Sequence, residues 1–194
     1  MVTRNTNKTI LKALENGQNG LLLGFKDEKW SESDIATLFK DIRLDYIHIE
    51  FVETNAETAA IIKNYLDSKY PNLDWSHCFF PNHFRYLAEE NFIENAAKLI
   101  REINTEKAFI YIELSGDYFW DISKIRAFKT LLFNHAKCEG ISPNYILVGE
   151  TTVRNKSKDK LENNILKLST EAMSGMIGGC EGIWIRPFNG DYSD

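Results

Sequence analysis

The sequence predicts an α/β fold with a parallel sheet, of the kind that winds into a (β/α) barrel of TIM type, here part-way round. Two observations carry this. Short strand-like runs alternate with helical runs along the whole chain, and the helices between them span 10–20 residues, long enough for parallel crossovers. The last strand-like run ends six residues before Asp194, so five or six strands are expected where a complete eight-stranded barrel needs about 250 residues. An open doubly wound sheet is the alternative architecture.

The elements follow in order. Ile10, Leu11 and Leu14 recur at helical spacing before Gly17, and Gly20 to Phe25 reads as a short buried strand. Ser31 to Asp34 offers N-cap chemistry ahead of Ile35, Leu38, Phe39 and Ile42. Tyr46 to Val52 alternates with period two, and Thr54 to Glu57 resembles a capping box for a helix ending near Tyr70, before Pro71. Trp75 to Phe80 is the run that makes the strand count six rather than five. A helix from Glu89 to Ile103 leads to a strand at Ala108 to Leu114, and a long helix spans Asp117 to Lys137. Tyr145 to Val148 is a strand, Lys158 to Met176 a helix, and Ile183 to Phe188 the final strand. One barrel region spanning 1–194 is the expected domain organisation.

Composition narrows the function classes. A hydrophobic fraction of 43% and a charged fraction of 26% are those of an ordinary globular chain. The net charge of −5 argues against nucleic acid, which calls for a basic stripe. No apolar run approaches the length of a membrane span, and the first residues lack the apolar stretch of a signal peptide. Cys78, Cys138 and Cys180 are widely spaced and odd in number, which suggests neither a disulfide framework nor a metal site. A cytoplasmic setting fits best, with no nucleic-acid or membrane partner. Gly175, Gly178 and Gly179 do not form a dinucleotide-binding fingerprint, and no P-loop or nucleophile elbow is present.

Strand alternation singles out candidate site residues. In the second strand Ile47, Ile49 and Phe51 oppose Tyr46, His48 and Glu50; later, Ile110, Ile112 and Leu114 oppose Phe109, Tyr111 and Glu113. In the last, Ile183 and Ile185 oppose Trp184 and Arg186. The β-branched faces are expected under helices and the others inside a barrel. That gathers His48, Glu50, Glu113 and Arg186 into an interior polar cluster, with the ionisable residues towards the strand ends where barrel enzymes keep their catalytic groups. Mutual satisfaction of buried charges explains the same cluster without catalysis.

Two C-terminal segments carry a family resemblance. Asn163 to Phe188 (NNILKLSTEAMSGMIGGCEGIWIRPF) resembles the methylmalonyl-CoA mutase pattern N-x-x-R-x-T-x-E-A-(L/M)-(S/A)-x-x-x-G-G followed by a strand ending near P-F. Gly116 to Lys129 (GDYFWDISKIRAFK) is similar to the family's N-(Y/F)-F-x-E-I-(A/S)-K-(L/I)-R-A helix. Arg154 to Ser157 matches its W-N-x-T turn, with Arg154 in place of tryptophan. Both helices also read as ordinary core helices, with apolar faces at Phe119, Ile122, Ile125 and Phe128 and at Ile165, Leu168, Ala172 and Met176.

The resemblance implies a (β/α)₈ barrel whose catalytic members use adenosylcobalamin to interconvert methylmalonyl-CoA and succinyl-CoA. Glu171 matches a family glutamate that contacts the cofactor's ribose in catalytic chains. The departures matter as much. The family's G-Y-H-x-x-E-A-G-A stretch has no counterpart, its CoA-binding Arg-x-Ser stands as Lys107-Ala108-Phe109, and the cobalamin-binding domain is missing. Tyr46, Phe109, Tyr111 and Trp184 are expected to obstruct a threaded pantetheine. The chain is therefore most similar to the small, non-catalytic subunit. This implies no catalytic or metal-binding residue, no cofactor on this chain alone, adenosylcobalamin in the assembled enzyme, and a heterodimer with a large catalytic subunit. A fragment of a catalytic acyl-CoA mutase barrel, or an unrelated α/β enzyme using strand-end carboxylates, are the alternatives.

Overall fold

The computed structural model of the chain describes residues 6–25, 29–52, 54–73, 78–79, 84–102 and 108–189. Trp75, Phe80, Ile103 and Lys107 lie outside them. Among the described residues the chain is mixed α/β, with every paired strand parallel. It divides into two compact units, Met1–Asn82 and His83–Asp194.

The first unit runs α1 (Thr6–Glu15), β1 (Gly20–Gly24), α2 (Glu32–Leu38), β2 (His48–Val52), α3 (Ala56–Lys69) and β3 (Cys78–Phe79). Its sheet order is β1-β2-β3. Ser31 caps α2 through a reciprocal box with Asp34, as its sequence suggests. Helix α3 is capped by Asn55, whose side chain accepts from the Thr58 N–H at 2.8 Å, one residue later than the Thr54 box expected. Leu23, Ile49 and Phe51 are buried in one cluster with Ile35, Leu38, Ile62 and Leu66. Tyr46 departs from expectation. It ends a 3-10 turn ahead of β2 and is 73% exposed beneath the Arg43 guanidinium, so it blocks no interior.

The second unit runs β4 (Phe84–Leu87), α4 (Phe92–Glu102), β5 (Ala108–Leu114), α5 (Tyr118–Glu139), β6 (Tyr145–Thr151), α6 (Leu161–Gly178) and β7 (Gly182–Trp184). Its sheet order is β4-β5-β6-β7. In both units the strands follow chain order, without the reversal that marks the switch point of a doubly wound sheet. Ile110, Ile112 and Leu114 of β5 pack with Leu99, Ile125, Phe128 and Leu132, so this face does lie under helices. Strand β4 was not expected, and β7 stops at Trp184, which leaves Ile185 54% exposed beyond it.

Helices α5 and α6 bury only part of the apolar faces their periodicity predicts, Ile125, Phe128 and Leu168, and bury polar residues beside them. Helix α5 buries Asp121 and Lys124 beside Ile125 and Phe128, while Phe119 is 78% exposed. Helix α6 buries Asn164, Glu171, Ser174, Gly175 and Gly178 with Leu168, and turns Ile165 and Met176 outward. The reason is twofold. A Cβ at Gly178 would sit 2.8–3.2 Å from Ile125, so small residues let the two helices approach closely. The buried carboxylates and lysine have partners at the strand ends, which makes their burial tolerable. No helix among the described residues is long and apolar enough to cross a membrane.

Candidate functional site: the charged strand ends of the second unit

The four strand residues singled out in the sequence fall into both units. In the first, Glu50 is buried in β2, in register between Leu22 and Phe79. His48, at the start of β2, is exposed rather than interior. In the second unit Glu113 is buried near the end of β5, and Arg186 lies just past β7 with its side chain 43% exposed. Glu113 and Arg186 are not each other's ion-pair partners.

Glu113 pairs instead with Arg154, Nη2 to Oε2 at 3.1 Å, on the connection after β6. The same Oε2 accepts the Glu89 backbone N–H at 3.0 Å, and Oε1 accepts the Thr152 hydroxyl at 2.9 Å. Arg154 also donates to Glu90 at 2.9 Å. Both oxygens of this buried carboxylate thus have donors, as a low-dielectric site requires.

Arg186 pairs with Glu150, the register neighbour of Glu113 on β6, and its backbone N–H donates to Thr151 Oγ1 at 2.9 Å. Two carboxylates therefore stand side by side, each joined to a half-exposed arginine. Burial pushes the Glu150 carboxyl above its ordinary range; Arg186 opposes this and Glu113 reinforces it. Tyr86 shares their electrostatic environment, and burial, then Glu150 and Glu113, push its phenol up to about 12, so it stays a neutral donor near neutral pH. Tyr111 and Trp184 lie edge to face at 5.9 Å on the same sheet face.

The sign of the Glu150 shift yields an expected result. Because its folded pKa lies above its unfolded one, the folded state binds the proton more tightly. Glu150 then contributes stability below its unfolded pKa that is lost as pH rises through the raised folded value. Urea midpoints of the wild type, relative to Glu150→Gln, are expected to decline across a window beginning near pH 4.5. A constant difference across that window would refute the assignment.

A second network lies deeper. The Asp121 carboxylate, fully buried, accepts from the Ser115 N–H at 2.9 Å, the Ser115 hydroxyl at 3.0 Å and the Gly116 N–H at 3.2 Å. Lys124 Nζ lies 2.9 Å from Asp121 Oδ1, donates to the Glu113 carbonyl at 2.8 Å and also bonds Glu89. Trp120 Nε1 donates to the other Glu89 oxygen at 2.7 Å.

Glu171, the ribose-contacting position implied by the resemblance, is 1% exposed on α6. Its Oε1 accepts from Lys156 Nζ at 2.6 Å and Asn155 Nδ2 at 2.9 Å. Burial lowers the Lys156 pKa, and the Glu171 contact opposes that shift. As placed, Glu171 faces an internal cation rather than open space. A ribose would have to displace Lys156, so the arrangement does not fit that group. Among the described residues, no group of three or more His, Cys, Asp or Glu side chains is arranged to hold a metal ion.

Sequence reasoning missed Glu150, Arg154 as an ion-pair partner, Asp121, Lys124 and Lys156. Continuing the β6 alternation past Gly149 would have placed Glu150 on the face of Glu113. No protein-family model and no curated protein matches the sequence.

Proposed function

We propose that the chain is a small-subunit-like (β/α) barrel region of the methylmalonyl-CoA mutase type, non-catalytic itself and supporting a large catalytic subunit in the cytoplasm. The observation that carries this is Glu171, whose carboxylate is sealed by a lysine with no exposed side-chain surface. Strands that follow chain order without reversal support the barrel. Phe109 and Tyr111, buried on the sheet face away from the helices, with Trp184 against Tyr111, support a filled interior that leaves little room for a threaded pantetheine. Glu113 and Glu150 are tied into ion pairs, which supports a structural role for the charged strand ends.

In this reading the adenosylcobalamin of the assembled enzyme supplies the radical chemistry that interconverts methylmalonyl-CoA and succinyl-CoA. This chain's residues hold the strand ends closed. The large apolar side chains turned outward on α5 and α6, among them Phe119, Leu166, Met173 and Met176, support a partner-facing role.

Co-expression with a large mutase chain tests the proposal directly. The two are expected to co-purify as a heterodimer, while the isolated chain binds neither adenosylcobalamin nor acyl-CoA at micromolar concentration. Micromolar binding by the isolated chain, or failure to associate with a folded large chain, would overturn it.

A further inference from the structure

We infer that Asn155 and Glu171 form a cradle for a primary ammonium group, and that Lys156 fills it from within as a latch on the β6–α6 connection. The Lys156 ammonium is gripped twice, by Glu171 Oε1 at 2.6 Å and Asn155 Oδ1 at 2.7 Å. Asn155 completes the ring by donating Nδ2 to the same Glu171 oxygen. Neither Lys156 nor Glu171 has any exposed side-chain surface. Glu171 Oε2 is buried without a hydrogen-bond partner, so the cradle retains acceptor capacity beyond what Lys156 uses.

The walls are fixed. Gly116, at φ +88°, closes one side with no room for a Cβ against Asn155. Lys167 bonds the Asn155 carbonyl, and Ser157 N–H donates to buried Asn164 at 3.0 Å. Residue 156 as a whole is only half-buried although its side chain is covered, so its backbone lies at the surface. Truncating the side chain would open a channel from solvent to the carboxylate.

The same connection carries Arg154 to Glu113, so one segment supplies cations to two buried carboxylates. It rests on the mutase reading only for the meaning of Glu171 as a ligand position. The geometry of the cradle stands without that reading.

Amine rescue tests it. Lys156→Ala leaves Glu171 as an uncompensated buried charge and is expected to lose about 6–20 °C in Tm. Propylammonium chloride is expected to restore at least half of that loss. Tetramethylammonium chloride at equal ionic strength has no N–H to donate and is expected to restore none. Wild type is expected to respond alike to both salts. An undiminished Tm in Lys156→Ala, or equal rescue by the two salts, would overturn the inference. Should Lys156→Ala fail to fold, Lys156→Met serves instead. Its Tm is expected to fall, and adding Glu171→Gln, which removes the unpaired buried charge, is expected to recover at least half of that loss. No recovery on adding Glu171→Gln to Lys156→Met would also overturn the latch. Failure here leaves the co-purification and cofactor titrations of the wild-type chain to decide the mutase reading separately.

Discussion

An Asp121→Ala variant is expected to lose about 3–5 kcal/mol of unfolding free energy, the range for removing one partner of a buried charge pair. Asp121 has no exposed surface, and its carboxylate gathers the Ser115 N–H, the Ser115 hydroxyl and the Gly116 N–H onto the start of α5. Alanine would strand all three donors. It would also take away one of the acceptors of Lys124, itself 4% exposed, leaving that cation to Glu89 and the Glu113 carbonyl. Ser115 is half-buried and Gly116 exposed, so water takes up part of what Asp121 leaves and keeps the loss within the stated range.

Asp117→Ala is the comparison that isolates burial. Asp117 is exposed and caps α5 by accepting the Trp120 N–H at 3.1 Å, a contact worth about 1 kcal/mol. Urea denaturation of both variants reads the difference. Equal losses would mean that the buried network contributes no more than an ordinary helix cap.

How much of this was legible in the sequence depends on which physical signal each feature carries. The strand–helix alternation was legible because continuous apolar runs and capping residues such as Ser31 and Asp117 act locally. Strand β4 was not, because a four-residue FRYL run has neither alternation nor length enough to stand out. Gly149 concealed the end of β6. It reads as a strand breaker, yet a Cβ there would lie 3.2–3.4 Å from Ile183, Leu114 and Cys180, so a glycine is what lets α6 and β7 close over the strand.

The helix faces misled for a different reason. Hydrophobic periodicity assumes that burial follows apolarity; it found Ile125, Phe128 and Leu168, which are buried, and pointed equally to Phe119 and Met176. Both are exposed, because partners from neighbouring segments make burial of Asp121, Lys124 and Glu171 tolerable. Asp121 finds its partners locally, in Ser115, Gly116 and Lys124, but the others are distant in sequence: Lys156 lies 15 residues from Glu171, and Glu89 lies 35 from Lys124. Single-sequence periodicity has no access to pairings of that kind. Glu113 was found because its own strand alternates cleanly, whereas its partner Arg154 sits on a connection where no periodicity operates.

Gly116→Ala is expected to be the most damaging small substitution in the second unit, at roughly 3–5 kcal/mol. Two penalties add. At φ +88° the backbone lies where an L side chain is strained by about 1–2 kcal/mol. The new Cβ would also overlap Asn155 Nδ2 and come within 3.3 Å of Glu171 Oε1. Asn155 cannot swing aside freely, since it donates to Glu171 and accepts from Lys156; moving it forfeits a hydrogen bond to a charged group, about 1.5–3 kcal/mol. Gly140 separates the two effects. It also has positive φ, at +67° as the C-cap of α5, but nothing lies within 4 Å of its added Cβ. Gly140→Ala is therefore expected to show the strain alone, about 1–2 kcal/mol. In an Asn155→Ala background the overlap with Asn155 vanishes and only the 3.3 Å approach to Glu171 Oε1 remains, so Gly116→Ala is expected to fall most of the way to the Gly140→Ala value. If urea denaturation instead shows the full loss persisting there, the damage comes from the backbone and not from the Asn155–Glu171 contact.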